Sequence, residues 1–426
     1  MKKAVKAILN VLSYGGIEVE SARRLADIKK LDPIRIFLRK LDMEIYNGDY
    51  KVPIRLFFPD EKMEEHGAKE AILFFHGGGW TTESVETYDR VCARMAQSTG
   101  QIVVSVEYRL APEHRFPTGL EDCYAAAQAM LRGEILPEVT PENVTIMGDS
   151  AGGNLAAAVC LMARDKKELL PGKQILIYPA VNSCYTEKSP YKSVKTNGTG
   201  YLLTSVKMED YVILYQRTEE DRKNPYFAPV LAENLQGLPD TLVLTAQYDP
   251  LRDEGEDYAK KLKRAGNLVE HHRIKGALHG YFALGIEHLY VQESFQYMNA
   301  FLRKEKQQKN ADEELENIAA VKKQLTHRKA EGGIENEERT FFALEKAGQR
   351  GTGISGGHRK KGYESLPVLL PAERGHPGGS AAESAGADNG ALPGVFHGTA
   401  ERSFLVLSGA ARSASKSRRG KASAVQ

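Results

Sequence analysis

The residues best suited to chemistry form the segment Gly148-Asp149-Ser150-Ala151-Gly152, which sets a serine between small residues. The preceding run 143–147 is short and largely apolar, as in a buried strand, and the following run 155–164 is alanine-rich with helical spacing. A serine on a tight strand-to-helix turn can attack a carbonyl carbon, and the helix N-terminus directs free N–H groups at the reacting centre. This pattern predicts that Ser150 is a nucleophile.

A second match to the same short pattern lies at Gly353-Ile354-Ser355-Gly356-Gly357, and Asp388 and His397 follow it in a suitable order. No strand-like run precedes this match, and no amphipathic helix follows it. The surrounding residues are rich in glycine, serine and arginine, a composition that does not hold a fixed geometry. We therefore favour Ser150 over Ser355, because the context and not the pattern identifies a nucleophile.

A glycine-rich loop, His76-Gly77-Gly78-Gly79-Trp80, follows the apolar strand-like run 71–75. Acyl transfer needs hydrogen-bond donors aimed at the developing oxyanion, and glycines let backbone N–H groups approach closely. The alternatives are a plain glycine turn and a phosphate-binding loop. Phosphate loops usually contain Gly-x-Gly-x-x-Gly or end in Gly-Lys-Ser/Thr, and neither occurs at this loop. The loop is therefore predicted to stabilise an oxyanion.

The acid of the predicted site is Asp249, which follows the strand-like run 241–245. Asp253 and Asp257 lie close by, but both fall inside the helix predicted after Asp249. There we expect them to cap that helix or to face solvent. Asp249 is the favoured acid because it lies just past the end of a strand.

The base of the predicted site is His279, which follows the short β-like run 269–274. His271 and His272 compete with it, but neighbouring strand residues face opposite sides, so only one of the two could point inward. Serine, aspartate and histidine then occur in one of the chain orders known for Ser-His-Asp triads. The pattern predicts a triad of Ser150, Asp249 and His279 that needs no metal and no cofactor.

The elements that must position these residues alternate between strand and helix patterns from about residue 43 to residue 303. Such alternation predicts a mostly parallel sheet with helices on both faces, and a site at the carboxyl edge of the sheet. The predicted helices cover 87–98, 120–131, 151–164, 253–264 and 291–303. Further strands are predicted at 102–108 and 174–178.

The charge balance of the chain bears on whether it binds nucleic acid. The chain has 426 residues, with 58 Lys and Arg against 56 Asp and Glu, a formal net charge of +2. This balance gives no reason to expect nucleic-acid binding. The excess positive charge lies in the C-terminal part, and the rest of the chain is mildly acidic.

The cysteines and the apolar runs bear on location. The four cysteines show no Cys-x-x-Cys and no metal-ligand spacing, so we expect free thiols in a reducing compartment. No apolar run approaches the ~20 residues of a membrane span. The start resembles the basic part of a signal peptide, but Lys6 and Asn10 interrupt its apolar run and no cleavage site follows. These features predict a cytoplasmic protein. The cysteines are Cys92, Cys123, Cys160 and Cys184.

The C-terminal part divides into two segments by composition. Residues 305–338 are charged and could form a solvated helix. Residues 339–426 turn to glycine, serine, alanine and arginine without periodicity, which predicts either a disordered tail or a non-native extension. The catalytic domain is accordingly predicted to span residues 1–304.

Taken together, these motifs resemble those of the hormone-sensitive lipase family of α/β-hydrolase esterases. The resemblance extends over roughly residues 40–304 and includes several separate segments in the family's order. They are His76-Gly77-Gly78-Gly79-Trp80, Tyr108-Arg109-Leu110-Ala111-Pro112-Glu113, Phe116-Pro117, Gly148-Asp149-Ser150-Ala151-Gly152-Gly153-Asn154, Asp249-Pro250-Leu251-Arg252-Asp253-Glu254 and His279-Gly280-Tyr281.

The resemblance implies an α/β-hydrolase fold with a helical cap. Residues 1–41 would supply N-terminal cap helices, and residues from about 185 to 220 a second cap piece. The family's oxyanion donors fall on the N–H groups of Gly77, Gly78 and Ala151. Asp149 would hold neighbouring loops and not act as a base.

The resemblance also implies a serine carboxylesterase that acts on small-molecule esters with short- to medium-chain acyl groups. An amidase or an acetylated-sugar deacetylase would use the same triad and stays open. A non-catalytic small-molecule receptor on the same fold is a further alternative, disfavoured because receptors of that kind lack the histidine that His279 supplies here. Members of the family are often dimers, so a homodimer is possible.

Overall fold

The computed structural model describes residues 17–31, 38–62, 68–284 and 288–303. Within these residues a single eight-stranded sheet forms the centre of the fold. Its strands are β1 (Lys40–Asn47), β2 (Tyr50–Phe57), β3 (Ala71–Phe75), β4 (Ile102–Val106), β5 (Val144–Asp149), β6 (Lys173–Ile177), β7 (Asp240–Tyr248) and β8 (Val269–Leu278).

The strand order is β1-β2-β4-β3-β5-β6-β7-β8, with β5 near the middle. All the pairings from β4 to β8 are parallel, whereas β1 pairs with β2, and β2 with β4, in antiparallel fashion. The prediction of a mostly parallel sheet is confirmed. The hairpin of β1 and β2 is an addition to the predicted alternation, and its tight turn contains Gly48 with φ of 59°.

The α-helices lie between and beside the strands. They are α1 (Val19–Asp27), α2 (Asp89–Thr99), α3 (Thr118–Leu131), α4 (Ala151–Asp165), α5 (Lys192–Thr196), α6 (Ser205–Tyr215), α7 (Arg252–Arg264) and α8 (289–303). Short 3₁₀ helices occupy Ile28–Leu31, Pro141–Asn143, Glu219–Lys223, Pro229–Leu231 and Tyr281–Leu284. The five helices predicted from periodicity all occur, as α2, α3, α4, α7 and α8.

The core consists of two apolar layers, one on each face of the sheet. Side chains of α3, α4 and α7 pack into one layer, and those of α2 and α8 pack into the other. Alternate residues of β3 divide between the layers, with Leu73 in the first and Ile72 and Phe74 in the second. A parallel strand covered on both faces must be apolar throughout, which explains the unbroken hydrophobic run at 71–75.

The expected α/β-hydrolase architecture is thus present, and α5 and α6 add Val194, Met208, Val212 and Tyr215 to the first apolar layer. Helices α5 and α6 fall within the second cap piece predicted at about 185–220, and α1 falls within the predicted N-terminal cap. Residues 1–16 of that cap, the segment 305–338 and the tail 339–426 lie outside the described residues. The domain boundaries therefore stay predictions.

Two features of the described residues concern location and redox state. None of their helices is long and apolar enough to cross a membrane. All four cysteines are free: three are buried and Cys184 is partly buried.

Candidate active site

The turn between β5 and α4 holds Ser150 in a backbone conformation that few side chains adopt, with φ of 56° and ψ of −117°. Two glycines allow the chain to pass through this turn. A Cβ atom at Gly148 would lie 2.2 Å from the Gly152 carbonyl oxygen, and one at Gly152 would lie 1.9 Å from the Phe75 carbonyl oxygen. The Ser150 N–H donates to the Ile177 carbonyl at 2.9 Å, which ties the turn to β6.

The structure brings the three predicted triad side chains together. His279 Nε2 lies 2.9 Å from Ser150 Oγ, and His279 Nδ1 lies 2.7 Å from Asp249 Oδ2. Each residue directly follows the last residue of its strand, β5, β7 or β8. Parallel strands end at one edge of the sheet, so three residues far apart in sequence meet there.

The acid is fully buried and held from two sides. Asp249 Oδ1 accepts from the Leu251 N–H at 2.8 Å, and the Asn197 side-chain amide donates to the Asp249 carbonyl at 3.0 Å. The other oxygen, Oδ2, is left to face the imidazole. The aspartate is therefore oriented by its own loop and by the segment that follows α5.

The two competing aspartates form hydrogen bonds with the segment around α5 and not with the imidazole. Asp253 accepts from the Ser193 N–H at 2.7 Å, and Asp257 accepts from the Tyr191 hydroxyl at 3.0 Å. Both bonds tie α7 to the segment around α5. The expectation that these two residues cap the helix or face solvent is therefore corrected: both carboxylates accept hydrogen bonds from the segment around α5.

The competing histidines lie within β8. His271 Nε2 is 3.1 Å from Thr245 Oγ1, and burial lowers the pKa of His271. His272 stacks on Tyr297 of α8 with ring centroids 3.9 Å apart. Neither ring is placed like that of His279. The second serine motif, with Ser355, Asp388 and His397, lies outside the described residues.

The donors of the glycine-rich loop differ from the prediction at one position. The Gly77 N–H donates to Asp149 Oδ1 at 2.8 Å, inside the protein. This hydrogen bond contradicts the prediction that Gly77 supplies an oxyanion donor. The sequence shows three successive glycines and not the direction in which each N–H points, so it could not separate them.

The next two glycines of the loop have the backbone freedom and the open donors that an oxyanion needs. Gly78 and Gly79 have φ of 110° and 59°. In the part of the chain that the structure describes, neither of their N–H groups has a hydrogen-bond acceptor. Ala151 is the first residue of α4, so its N–H has no acceptor within the helix.

Asp149, the residue before the serine, is a buried carboxylate that joins three elements. Besides the Gly77 N–H, it accepts from the hydroxyls of Tyr88 at 3.1 Å and Tyr178 at 3.2 Å, both on Oδ2. Burial raises its pKa, and the bond from Tyr88 acts in the opposite direction. Its partners agree with the expected role of holding loops. The two tyrosines carry no motif that could have identified them, because they lie 61 and 29 residues away in sequence.

The outer helices contact the glycine-rich loop directly. Arg23 of α1 donates to the Thr81 carbonyl at 2.8 Å and the Ala111 carbonyl at 2.9 Å, and pairs with both carboxylate oxygens of Glu113 at 2.8 Å. The ring of Tyr211 of α6 lies where a Cβ on Gly79 would be, at 2.4 Å. These contacts place α1 and α6 against the loop that follows β3.

Across residues 17–31, 38–62, 68–284 and 288–303, no cluster of three or more His, Cys, Asp or Glu side chains is arranged to hold a metal ion. The arrangement at Ser150 instead suits proton transfer between a hydroxyl and an imidazole.

Comparison with known proteins places this geometry among hydrolases. Residues 72–283 match the family model described as alpha/beta hydrolase fold. An arylesterase from Saccharolobus solfataricus is 38% identical over 241 residues, which cover 56% of this chain and 76% of that protein. An ethyl acetate hydrolase from Pseudomonas putida is 34% identical over 247 residues, covering 57% and 76% respectively.

A solved structure shows the same likeness in three dimensions. The hyperthermophilic esterase from the archaeon Pyrobaculum calidifontis superimposes with a TM-score of 0.62 at 35% sequence identity. The match covers 71% of this chain and 98% of that one. The similarity therefore extends over nearly the whole of a protein that is itself an esterase.

Proposed function

The chain belongs to the α/β-hydrolase family, among the esterases that resemble hormone-sensitive lipase, and on this premise we propose that it hydrolyses carboxylic esters through Ser150, His279 and Asp249. The chain is a carboxylesterase-type hydrolase. The observation that carries the proposal for the residues is the unbroken hydrogen-bonded series from Ser150 Oγ through the His279 ring to Asp249. The receptor alternative has no support from these relatives.

In the proposed first half-reaction, Ser150 Oγ attacks the ester carbonyl carbon while His279 Nε2 takes the hydroxyl proton. Asp249 accepts a hydrogen bond from the Nδ1–H of His279, which fixes the tautomer and stabilises the imidazolium that forms. The N–H groups of Gly78, Gly79 and Ala151 receive the negative charge on the carbonyl oxygen. His279 then protonates the alcohol as it leaves.

The second half-reaction repeats these roles with water. His279 Nε2 removes a proton from water, the hydroxide attacks the acyl carbon, and the same N–H groups hold the oxyanion. The proton returns to Ser150 Oγ as the acid is released. No cofactor enters either half-reaction.

We propose short- to medium-chain acyl esters as substrates. One relative is named an ethyl acetate hydrolase and another an arylesterase, so small acyl and varied alcohol groups fit the proposal. An amide or an acetylated sugar would pass through the same oxyanion and acyl-enzyme, and therefore remains the second candidate.

The test is hydrolysis of p-nitrophenyl butyrate by the wild-type chain and by Ser150→Ala, with p-nitrobutyranilide as the matched amide. Loss of the nucleophile should lower kcat by about 10⁴–10⁶. Asn154→Ala serves as the control for damage to α4, because its side chain donates to the Ala180 and Phe227 carbonyls and not to the reacting groups.

Three outcomes of this hydrolysis test lead to different conclusions. Ester cleavage that disappears only in Ser150→Ala supports the proposed nucleophile. Equal activity in Ser150→Ala contradicts it. Faster cleavage of the anilide than of the ester moves the amidase to first place.

A further inference from the structure

Tyr178 lies beside both the turn of the proposed nucleophile and the loop of the proposed base. It follows the last residue of β6, is buried, and has φ of 35°, a conformation uncommon for any residue but glycine. Its N–H donates to the Leu244 carbonyl of β7 at 2.6 Å. The residue before it, Ile177, accepts the Ser150 N–H. The backbone of Tyr178 is therefore fixed against the strands that carry the site.

The hydroxyl of Tyr178 joins the two sides of the site. It donates to Asp149 Oδ2 at 3.2 Å, beside the nucleophile, and accepts the Phe282 N–H at 3.2 Å, three residues after the histidine. Burial raises the pKa of this hydroxyl well above its usual range, so it keeps the proton that it donates. A single oxygen thus links the serine turn to the histidine loop.

The ring of Tyr178 also lies against the imidazole. The ring centroids of Tyr178 and His279 are 4.7 Å apart at 57°, and Tyr178 and Tyr281 pack edge to face at 5.1 Å. The imidazole is thereby bounded on one side by a fixed aromatic ring. The bonds to Ser150 and Asp249 restrain its two nitrogens.

The histidine loop needs such a support. His279 is followed by Gly280, with φ of 79°, and by the 3₁₀ helix Tyr281–Leu284, so β8 no longer holds the backbone. Two side chains of the loop are anchored on α8: Tyr281 bonds Ser294 at 2.7 Å, and Phe282 packs on Phe295. The hydrogen bonds of Tyr178 join this loop to the serine turn, in addition to the bond between His279 and Ser150.

We propose that Tyr178 is a positioning residue of the esterase: its hydroxyl and ring set the His279 imidazole relative to Ser150 Oγ. This inference rests on the proposed function. It assigns no proton transfer to Tyr178, because its hydroxyl touches neither Ser150 nor His279. Its contribution would be geometric, and it would appear in the chemical step more than in substrate binding.

The test compares Tyr178→Phe with Tyr88→Phe. Both variants keep the aromatic ring and remove one hydroxyl that donates to Asp149 Oδ2, but only Tyr178 also accepts from Phe282 and contacts His279. With p-nitrophenyl butyrate, we expect Tyr178→Phe to lower kcat about tenfold with KM unchanged, because a misplaced catalytic group affects the transition state most. The fall in Tyr88→Phe should be clearly smaller.

A second readout reports on the imidazole directly. In the adduct with a boronic acid, the His279 Nδ1 proton bonded to Asp249 should give a downfield proton NMR signal. We expect this signal to broaden and to exchange faster with water in Tyr178→Phe, and to stay sharp in Tyr88→Phe. Rates and spectra are recorded well below the unfolding midpoints of both variants, so that folded protein is compared.

Failure of the proposed function and failure of the proposed role of Tyr178 would give different results. An inactive wild type or an active Ser150→Ala overturns the proposed function. With that function intact, an unchanged kcat in Tyr178→Phe, an equal fall in both variants, or an unchanged downfield signal overturns the role of Tyr178. An equal fall would assign the effect to Asp149 instead.

Discussion

The hydroxyl of Ser150 is a weak nucleophile by itself, and its reactivity depends on the state of the imidazole 2.9 Å away. That imidazole must accept a proton at Nε2, so its other nitrogen must carry one. Asp249 fulfils this condition by presenting Oδ2 to Nδ1 at 2.7 Å, while Leu251 occupies Oδ1. The proposed chemistry is therefore sensitive to a change of one atom in the acid.

Asp249→Asn is predicted to lower kcat by about 10⁴ with little change in KM, because an amide N–H facing Nδ1 would favour the wrong tautomer. The measurement is steady-state hydrolysis of p-nitrophenyl butyrate. Asp253→Asn is the matched control, four residues along the chain, since that carboxylate accepts from the Ser193 N–H and not from the imidazole. A comparable loss of kcat in Asp253→Asn would contradict the assignment of the acid.

At the scale of single elements, the glycine-rich loop depends on the helices around it. Helix α1 reaches the loop through Arg23, whose guanidinium binds the Thr81 and Ala111 carbonyls together with Glu113. Thr81 follows the glycine-rich loop, whereas Ala111 and Glu113 follow β4. One side chain of α1 therefore joins its own helix to both of these segments. Loosening α1 should therefore disturb the site without changing any reacting group.

Arg23→Ala is predicted to raise KM and to lower the thermal unfolding midpoint by about 2–4 °C, because partly buried hydrogen bonds are lost. The control is Arg24→Ala on the same helix, where the arginine pairs with the exposed Glu20. That pair should contribute almost nothing to stability. Equal effects of the two substitutions, in thermal melts and in KM, would show that α1 is not held through Arg23.

The same contact predicts a dependence on pH. The hydrogen bond from Arg23 lowers the pKa of Glu113 from 4.5 to about 2. A lowered carboxyl pKa stabilises the folded state above its unfolded value, and this stabilisation is lost as the pH falls through the folded value. The destabilisation by Arg23→Ala should be full above about pH 5 and should shrink towards pH 2. Denaturant unfolding of both proteins along this range provides the check.

At the scale of the whole molecule, the core is closed by α8. Val291, Phe295 and Met298 are buried in the same apolar layer as α2. The solved esterase matches 71% of this chain over 98% of its own length, which corresponds to a body of similar extent. The body described here therefore contains both apolar layers and all the residues of the proposed site.

A chain that ends after Arg303 is predicted to keep the kcat/KM and the unfolding midpoint of the full chain, because the residues of both layers that the structure describes all lie before residue 304. The control ends after residue 288 and lacks α8. Only α2 then covers this face of the sheet, and the shortened chain should not fold cooperatively. Purification, thermal melts and ester hydrolysis compare the three chains. Loss of folding or activity on removal of residues 304–426 would show that they belong to the catalytic unit.

Several expectations at this scale stay predictions. They are the cytoplasmic location, the absence of nucleic-acid binding and the homodimer.

The sequence by itself determined the fold class and the kind of hydrolase, and it predicted the three residues proposed to perform the chemistry. Short apolar runs identify buried strands, and each of Ser150, Asp249 and His279 lies one residue past such a strand. Because parallel strands end at one edge, local patterns of this kind predict a meeting of distant residues. The glycines on either side of the serine also follow from local geometry, since the turn leaves no room for a Cβ.

Only the tertiary structure separated the N–H of Gly77 from those of the next two glycines and showed which ring lies against the imidazole. Gly77 is bound by Asp149, 72 residues further along, and Tyr178 is bound to Phe282 across 104 residues. Arg23 reaches Thr81 across 58 residues. Side-chain contacts over such separations depend on how whole layers pack and leave no periodic signal in the chain, so they appear only once the fold has formed.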